Sequence, residues 1–401
     1  MNSSWCRSEL TYCTNVHPGE SLQQVYGVIS GPLARVRQNR GLAAMGGGLW
    51  LSNATTLDLS SDAGLDAFSQ GLLQNGINLF TLNGFPTQGF HAQRVKQAAY
   101  HPDWSEPERL HYSLRLARIL SALLAPDQAE GTISSVPLGF APEWNPARDT
   151  LAMDALGQCL LGLDEIHRQG GRRIRLCLEM EPGCVLESTD ELILYFTSAL
   201  PQHLHNQGLS PELIDRHLGI CFDVCHQAVM FEDCYDSLSR IHAAGINIGK
   251  IQISSALQLK AADDSDARNS LAGFIENRYL HQSRCLDSDG QLLKVMDLDQ
   301  AFTDFPRAGA WRTHFHVPIQ AETLLSDGLG TTQREICRTL DFLRDNPVVH
   351  PHLEVETYTW TALPEEIRPK DDAMIIDGLT AELQWLESEM QSRRLLREEP
   401  S

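Results

Sequence analysis

The sequence predicts an α/β protein built as a (β/α)8 TIM barrel, a closed ring of parallel strands sheathed by helices. Two observations predict it. Short apolar, often β-branched segments alternate along the chain with longer stretches of helical spacing, the pattern of successive βα units. No repeat period and no long Gly/Ser or Pro linker breaks that alternation, so residues 1–401 read as one domain. The 401 residues exceed the ~250 of a plain barrel, which leaves room for additions.

Candidate strands lie at 10–16, 49–52, 77–82, 132–137, 174–180, 218–224, 248–254, 313–317 and 353–358. A ring of eight needs one fewer, and segment 313–317 is assigned to a long excursion after the seventh strand. The triplet Gly46-Gly47-Gly48 stands before the second strand, not between a strand and a helix, so it is no phosphate loop. A hydroxyl three residues before a glutamate, at Ser105/Glu108, Ser188/Glu191 and Thr332/Glu335, marks helix starts; Gly76, Gly170 and Gly245 mark stops. The helix after Ser105 carries Leu114, Leu116, Ile119, Leu120 and Leu123 at apolar spacing.

Residues 256–312 show no strand and helix pair, which is long for a connection and reads as an insertion or lid. Its Asp263, Asp264, Asp266, Arg268, Arg278, His281 and Arg284 would cover a polar ligand or, equally, dress a surface subdomain. Residues 371–397 read as a C-terminal amphipathic helix with Leu379, Leu383, Trp385, Leu386 and Met390 on one side. That stripe serves equally to pack on the barrel or to pair two copies as a homodimer.

Composition bounds the function. At 42% hydrophobic and 21% charged residues the chain has the apolar content for a core. Fifty-two acidic against 32 basic residues, a net charge of -20, repel a polyphosphate backbone and argue against nucleic acid as a partner. No run approaches ~20 apolar residues and the first residues hold no signal-peptide core, so the expectation is a cytoplasmic protein without a membrane span. The ten cysteines, spread from Cys6 to Cys337, lack scaffold spacing and read as reduced, buried thiols.

In such a barrel the reactive groups project from the C-terminal strand ends. The fifth strand ends on Glu179 and Glu181, two carboxylates that alternation puts on one face. The sixth ends on Asp223 with His226 close behind, and the last carries Glu354 and Glu356. Before it, His314 and His316 repeat the same-face pattern with imidazoles. Carboxylates and imidazoles at one mouth are what a divalent cation needs, and oxygen and nitrogen donors without thiolate suit Mn, Mg, Co, Fe or Zn. Asn15, His17, Asn83, His91 and Gln252 fall at the same rim as hydroxyl-binding positions, with His17 equally suited to holding the Pro18-Gly19 turn. Trp50, Phe85 and Phe90 would wall the site.

Several long strings carry a resemblance: Leu10-Thr-Tyr-Cys-Thr-Asn-Val-His-Pro-Gly-Glu20, Glu179-Met-Glu-Pro-Gly-Cys184, Phe222-Asp-Val-Cys-His-Gln-Ala228, Gln252-Ile-Ser-Ser-Ala256, Thr313-His-Phe-His-Val-Pro318 and Glu354-Val-Glu-Thr-Tyr-Thr-Trp360. From first strand to last the chain resembles the EboE family, metabolite traffic proteins of a bacterial secondary-metabolite gene cluster. Through it the chain is similar to the xylose-isomerase-like barrels, among them sugar isomerases, ketose epimerases, inosose dehydratases and an endonuclease. The resemblance implies that Glu179, Asp223 and Glu356 hold a metal and that His226 contacts substrate or a second metal. The family's strand-seven histidine is replaced here by Gln252, and His316 or His314 is left to supply the missing imidazole.

The function these readings imply is a metal-dependent isomerase or epimerase acting by proton transfer on a sugar, sugar phosphate or cyclitol. Glu179 and Glu356 would be catalytic; Glu179, Asp223, His316 and Glu356 the metal ligands; His17, Asn83, Glu181, His226, Gln252, His314 and Glu354 the substrate-binding groups. A dehydratase of the inosose type shares the first step, removal of an α proton. The rival of another class is a non-catalytic protein that binds a small polyhydroxylated metabolite and hands it to other proteins of the gene cluster.

Overall fold

The computed structural model describes residues 4–125 and 128–399. Eight parallel strands form the ring: β1 (Thr11–Tyr12), β2 (Met45–Trp50), β3 (Ile77–Asn83), β4 (Glu130–Ser135), β5 (Arg173–Glu179), β6 (Leu218–Asp223), β7 (Ile248–Ile253) and β14 (His352–Val355), in the order β1-β14-β7-β6-β5-β4-β3-β2. Segment 313–317 is not among them. The seam between the two-residue β1 and β2 closes through one parallel bridge, Cys13 to Gly48. Threonine hydroxyls extend it where backbone pairing stops: the amide of Gly48 donates to Thr11 Oγ1 at 2.9 Å and that of Trp50 to Thr14 Oγ1 at 2.9 Å.

The glycine triplet lies inside β2, not before it, because the barrel interior has no room for side chains there. A Cβ at Gly47 would stand 2.7 Å from Ile77 Cγ2, and one at Gly48 only 1.7 Å from Glu354 Oε1. The Glu354 carboxylate is itself held by Lys250 Nζ at 2.7 Å, with both side chains fully buried. Glu354 therefore belongs to the barrel interior and not to a ligand, which corrects its assignment as a substrate group.

The insertion after β7 is more structured than expected. Six short strands, β8 (Leu257–Leu259), β9 (Ser283–Leu286), β10 (Leu292–Val295), β11 (Ala310–Thr313), β12 (Thr323–Leu324) and β13 (Ser326–Thr331), form a second, antiparallel sheet ordered β10-β9-β11-β8-β13-β12. With strands of two to six residues, many polar, the period-2 pattern is too brief to read in sequence. The charged residues there mostly build the subdomain: Asp264 caps helix Ser265–Ala272, Arg268 lies over Trp311 at 4.6 Å, Arg284 pairs with Glu187 at 2.9 Å and His281 with Glu276 at 2.7 Å.

Of the three sequence caps, Ser188/Glu191 is a reciprocal capping box. Asp103 and Glu106 replace Ser105/Glu108: the Ser105 amide donates to Asp103 Oδ1 and the Asp103 amide to Glu106 Oε2, and the helix starts at Pro107. Thr332 and Glu335 accept instead from the distant amides of Ala256 and Cys234, so tertiary contacts outbid the local cap. The helix Pro146–Gly170 stops at Gly171, not Gly170, because the left-handed turn at φ 69° falls one residue later.

The last helix runs Asp372–Ser392, five residues short of the expected end. Leu379, Leu383, Leu386 and Met390 are buried in the core, so the stripe offered for a homodimer packs on the protein's own barrel. No helix among the described residues is long and apolar enough to cross a membrane. Glu382 of this helix is fully buried: one oxygen accepts from Thr357 Oγ1 (2.6 Å) and the Ile319 amide (3.2 Å), the other from Trp360 Nε1 (3.3 Å). It thereby ties together the two loops that follow His316 and Glu356.

Gly48→Ala is expected to destabilise the protein by at least about 3 kcal/mol in denaturant unfolding, because the methyl group displaces one partner of a buried ion pair. Burial pushes the Glu382 carboxyl up to about 7, against its hydrogen bonds. A carboxyl raised in the folded state binds its proton more tightly there, so its stabilisation is fully present below the ordinary carboxyl range and is lost as pH rises through about 7. Stability should therefore fall between pH 5 and 8 by up to about 3 kcal/mol from this group, and Glu382→Gln should flatten that segment of the profile.

Candidate metal centre at the barrel mouth

Four elements deliver acid and imidazole groups to one point. Glu179 is the last residue of β5 and Asp223 the last of β6; Glu356 follows β14, and His316 arrives from the segment after β11. All four are buried, none more than 4% exposed. Ligand atoms of Glu179, Asp223 and Glu356 lie within 4.8 Å of one another, and so do those of Asp223, His226 and His316.

Hydrogen bonds fix Asp223, His316 and Glu356 and leave lone pairs over. Asp223 caps the helix Val224–Val229, its Oδ1 accepting from the His226 amide (2.9 Å) and Ser254 Oγ (2.8 Å), while Oδ2 has no partner. His316 Nδ1 donates to the Glu356 carbonyl at 2.6 Å, so Nε2 carries the lone pair, unpartnered and 4.0 Å from Asp223 Oδ2. Glu179 Oε2 is likewise unpartnered. Glu356 Oε1 accepts from Asn15 Nδ2 (2.8 Å) and Asn83 Nδ2 (3.0 Å). Burial first, then repulsion from neighbouring carboxylates, pushes the Glu179 and Glu356 carboxyls well above the usual range. Burial pushes His316 down to about 4, which keeps the imidazole neutral, the form that binds metal. Buried and unpartnered oxygen and nitrogen donors fit a divalent cation.

A second polar cluster adjoins the first. His226 Nδ1 donates to the Met180 carbonyl at 2.8 Å, and its Nε2 faces His314 Nε2 at 3.2 Å. His314 Nδ1 meets Gln282 Oε1 at 2.7 Å, while Gln282 Nε2 donates to Tyr100 Oη (2.7 Å) and Glu181 Oε1 (3.1 Å). Tyr100 donates to the same Glu181 oxygen at 2.7 Å. Both clusters open on one cavity lined by Asn15, Asn83, Glu179, Glu181, His226, His314 and Glu356, with aromatic walls.

Four predicted rim or wall residues, His17, Gln252, Trp50 and His91, do not line that cavity. His17 Nε2 contacts Tyr12 Oη at 3.0 Å, away from the lining residues. Gln252 is fully buried in β7, in register with Asp223 and Glu354, and does not reach the wall; neither amide atom has a partner. Trp50 packs behind Phe90 and donates to the Pro86 carbonyl at 2.8 Å, whereas Phe85 and Phe90 do line the cavity. His91 acts indirectly, touching the Asn15 carbonyl at 2.9 Å. Sequence reasoning missed Tyr100, Gln282, Tyr279 and Tyr358. Gln282 beside His281, Tyr279 beside Arg278 and Tyr358, two residues past Glu356, adjoin residues that the sequence singles out; Tyr100 does not.

No protein-family model matches the chain, and no curated protein does. Among solved structures it is similar to a xylose isomerase domain protein from Planctomyces limnophilus, at 13% identity and a TM-score of 0.50 over 90% of this chain and 92% of that one. The fold is a xylose-isomerase-like barrel. A D-tagatose 3-epimerase-like protein matches at 11% identity and a TM-score of 0.49, over 96% of this chain and 98% of that one. An IOLI protein with a bound zinc atom matches at 10% and 0.45, over 96% and 98%.

Elemental analysis of tag-free protein should find about one equivalent of a divalent metal per chain, and Asp223→Ala should lose it while keeping its far-ultraviolet circular dichroism.

Proposed function

We propose that this protein is a metal-dependent isomerase or epimerase that moves a proton on a small polyhydroxylated carbonyl compound. The observation that carries the reading is the pair of buried carboxylates, Glu179 and Glu356, lining one cavity beside the unpartnered Asp223 Oδ2 and His316 Nε2. Glu179, Asp223, His316 and Glu356 would hold the cation, from the set Mn, Mg, Co, Fe or Zn. When bound, such a cation supplies polarisation of a carbonyl and the adjacent hydroxyl. One of the two glutamates takes the proton from the carbon α to the carbonyl and the other returns it. Asn15 and Asn83 hold Glu356 Oε1 in place, which presents the second oxygen without a change of rotamer. His226, His314 and Glu181 bind and orient the substrate hydroxyls. The motif resemblance to the EboE family supports a role in a secondary-metabolite pathway, in the company of other proteins of that gene cluster.

One observation favours a second reading, a non-catalytic metabolite carrier. Gln252 occupies the register position beside Asp223 where the family pattern has histidine.

Incubation with ketoses and cyclitol ketones in heavy water separates the two: deuterium α to a carbonyl is the catalytic outcome, and tight binding without exchange is the carrier's. Glu356→Gln should lower the exchange rate by about 100- to 10,000-fold without unfolding the barrel; retained exchange would remove Glu356 from the mechanism.

A further inference from the structure

The cavity is divided chemically. Its acids, amides and imidazoles come from the strand ends, whereas the loop after β3, the insertion and the segment after β14 contribute Phe85, Phe90, Val95, Tyr279, Leu280 and Tyr358. Phe90, Tyr279 and Tyr358 form a collar, with ring centroids 5.2, 5.3 and 5.0 Å apart pair by pair. The phenol oxygens are already engaged, Tyr279 Oη donating to the Phe90 carbonyl (3.4 Å) and Tyr358 Oη meeting His314 Nε2 (3.4 Å). The collar is tied shut on one side by backbone: the amides of Val95 and Lys96 both donate to the Arg278 carbonyl, at 2.7 and 2.9 Å.

Charge divides the cavity as well. Among the described residues its one cationic lining group is Lys96, whose ammonium is held by Asp297 Oδ2 at 2.5 Å and the Glu276 carbonyl at 3.3 Å. Asp297 in turn caps the helix Leu298–Asp304 and accepts from the His281 amide at 3.2 Å, so releasing Lys96 to a ligand would strand a structural carboxylate. The other charged lining side chains are acids, Glu179, Glu181 and Glu356. Apart from the cation that the strand-end acids would hold, a phosphate would find no free cationic side chain among the described lining residues. A second hydroxylated ring in the collar would leave its hydroxyls unpaired, at a cost that an apolar group avoids.

Building on the isomerase reading, we propose that the substrate is an unphosphorylated hydroxycarbonyl compound bearing an apolar ring or chain. Its polar end lies on the acid and imidazole cluster and its apolar end in the Phe90–Tyr279–Tyr358 collar. The collar is then the specificity element and the strand ends the reacting element.

Titration calorimetry on metal-loaded protein tests this with three probes sharing one α-hydroxyketone: hydroxyacetone, dihydroxyacetone phosphate and phenacyl alcohol. Phenacyl alcohol should bind at least about tenfold tighter than hydroxyacetone, as burial of one phenyl group implies. Dihydroxyacetone phosphate should bind no tighter than hydroxyacetone. Phe90→Ala and, separately, Tyr279→Leu should erase the phenyl preference at unchanged metal content. Tightest binding by the phosphate, equal binding of the two neutral probes, or no binding of phenacyl alcohol would overturn the proposal. Failure of the isomerase reading shows differently: the phenyl preference persists while the protein takes up no metal or exchanges no α proton.

Discussion

A fully buried ion pair, Lys250 to Glu354, underlies the mouth of the barrel. Its two charges lie below three carboxylates held within 4.8 Å of one another, and the Lys250 ammonium offsets part of the repulsion on Glu179 and Glu356. A lone buried ammonium would be costly, so Glu354 must be present, and Glu354 has room only because residue 48 has no side chain. The glycine triplet in β2 is thus linked through two charged side chains to the acids at the mouth. This explains a strand whose own propensity is poor: packing around a buried charge pair outweighs it.

The insertion and the C-terminal helix complete what the ring leaves open. Strand β7 ends without an imidazole, and the chain returns from the second sheet to place His314 and His316 over the acids. That placement is secured from outside by Glu382, which accepts hydrogen bonds from both loops, and by the Thr359 hydroxyl on the His316 carbonyl. The same insertion supplies Tyr279 and Leu280 to the aromatic wall and Gln282 to the polar cluster. It forms part of the cavity wall; of its charged side chains, Asp264 and Arg268 hold the subdomain together and Arg284 ties it to Glu187 after β5.

Legibility in the sequence followed periodicity and position. β5 and β6 are apolar runs that end on candidate site residues, so both the strands and Glu179, Glu181, Asp223 and His226 could be read directly. Same-face alternation also singled out His314 with His316, although they sit in no strand, because their spacing mimics one. It misled at Glu354: Glu354 and Glu356 do share a face, but two residues of rise separate the barrel interior from the mouth.

The sequence by itself determined the ring of βα units, the acids at its C-terminal end and the amphipathic last helix, because each depends on local spacing and on which face a side chain takes. Only the tertiary structure decided which oxygens and nitrogens are left without partners, that Gln252 and His17 do not line the cavity, and that Tyr100, Tyr279 and Tyr358 complete it. Those outcomes depend on contacts across tens to hundreds of residues, such as Asn15 with Glu356 or Gln282 with Glu181. Hydrogen bonding and charge compensation at that range leave no period in a sequence, and the fold alone brings the partners together.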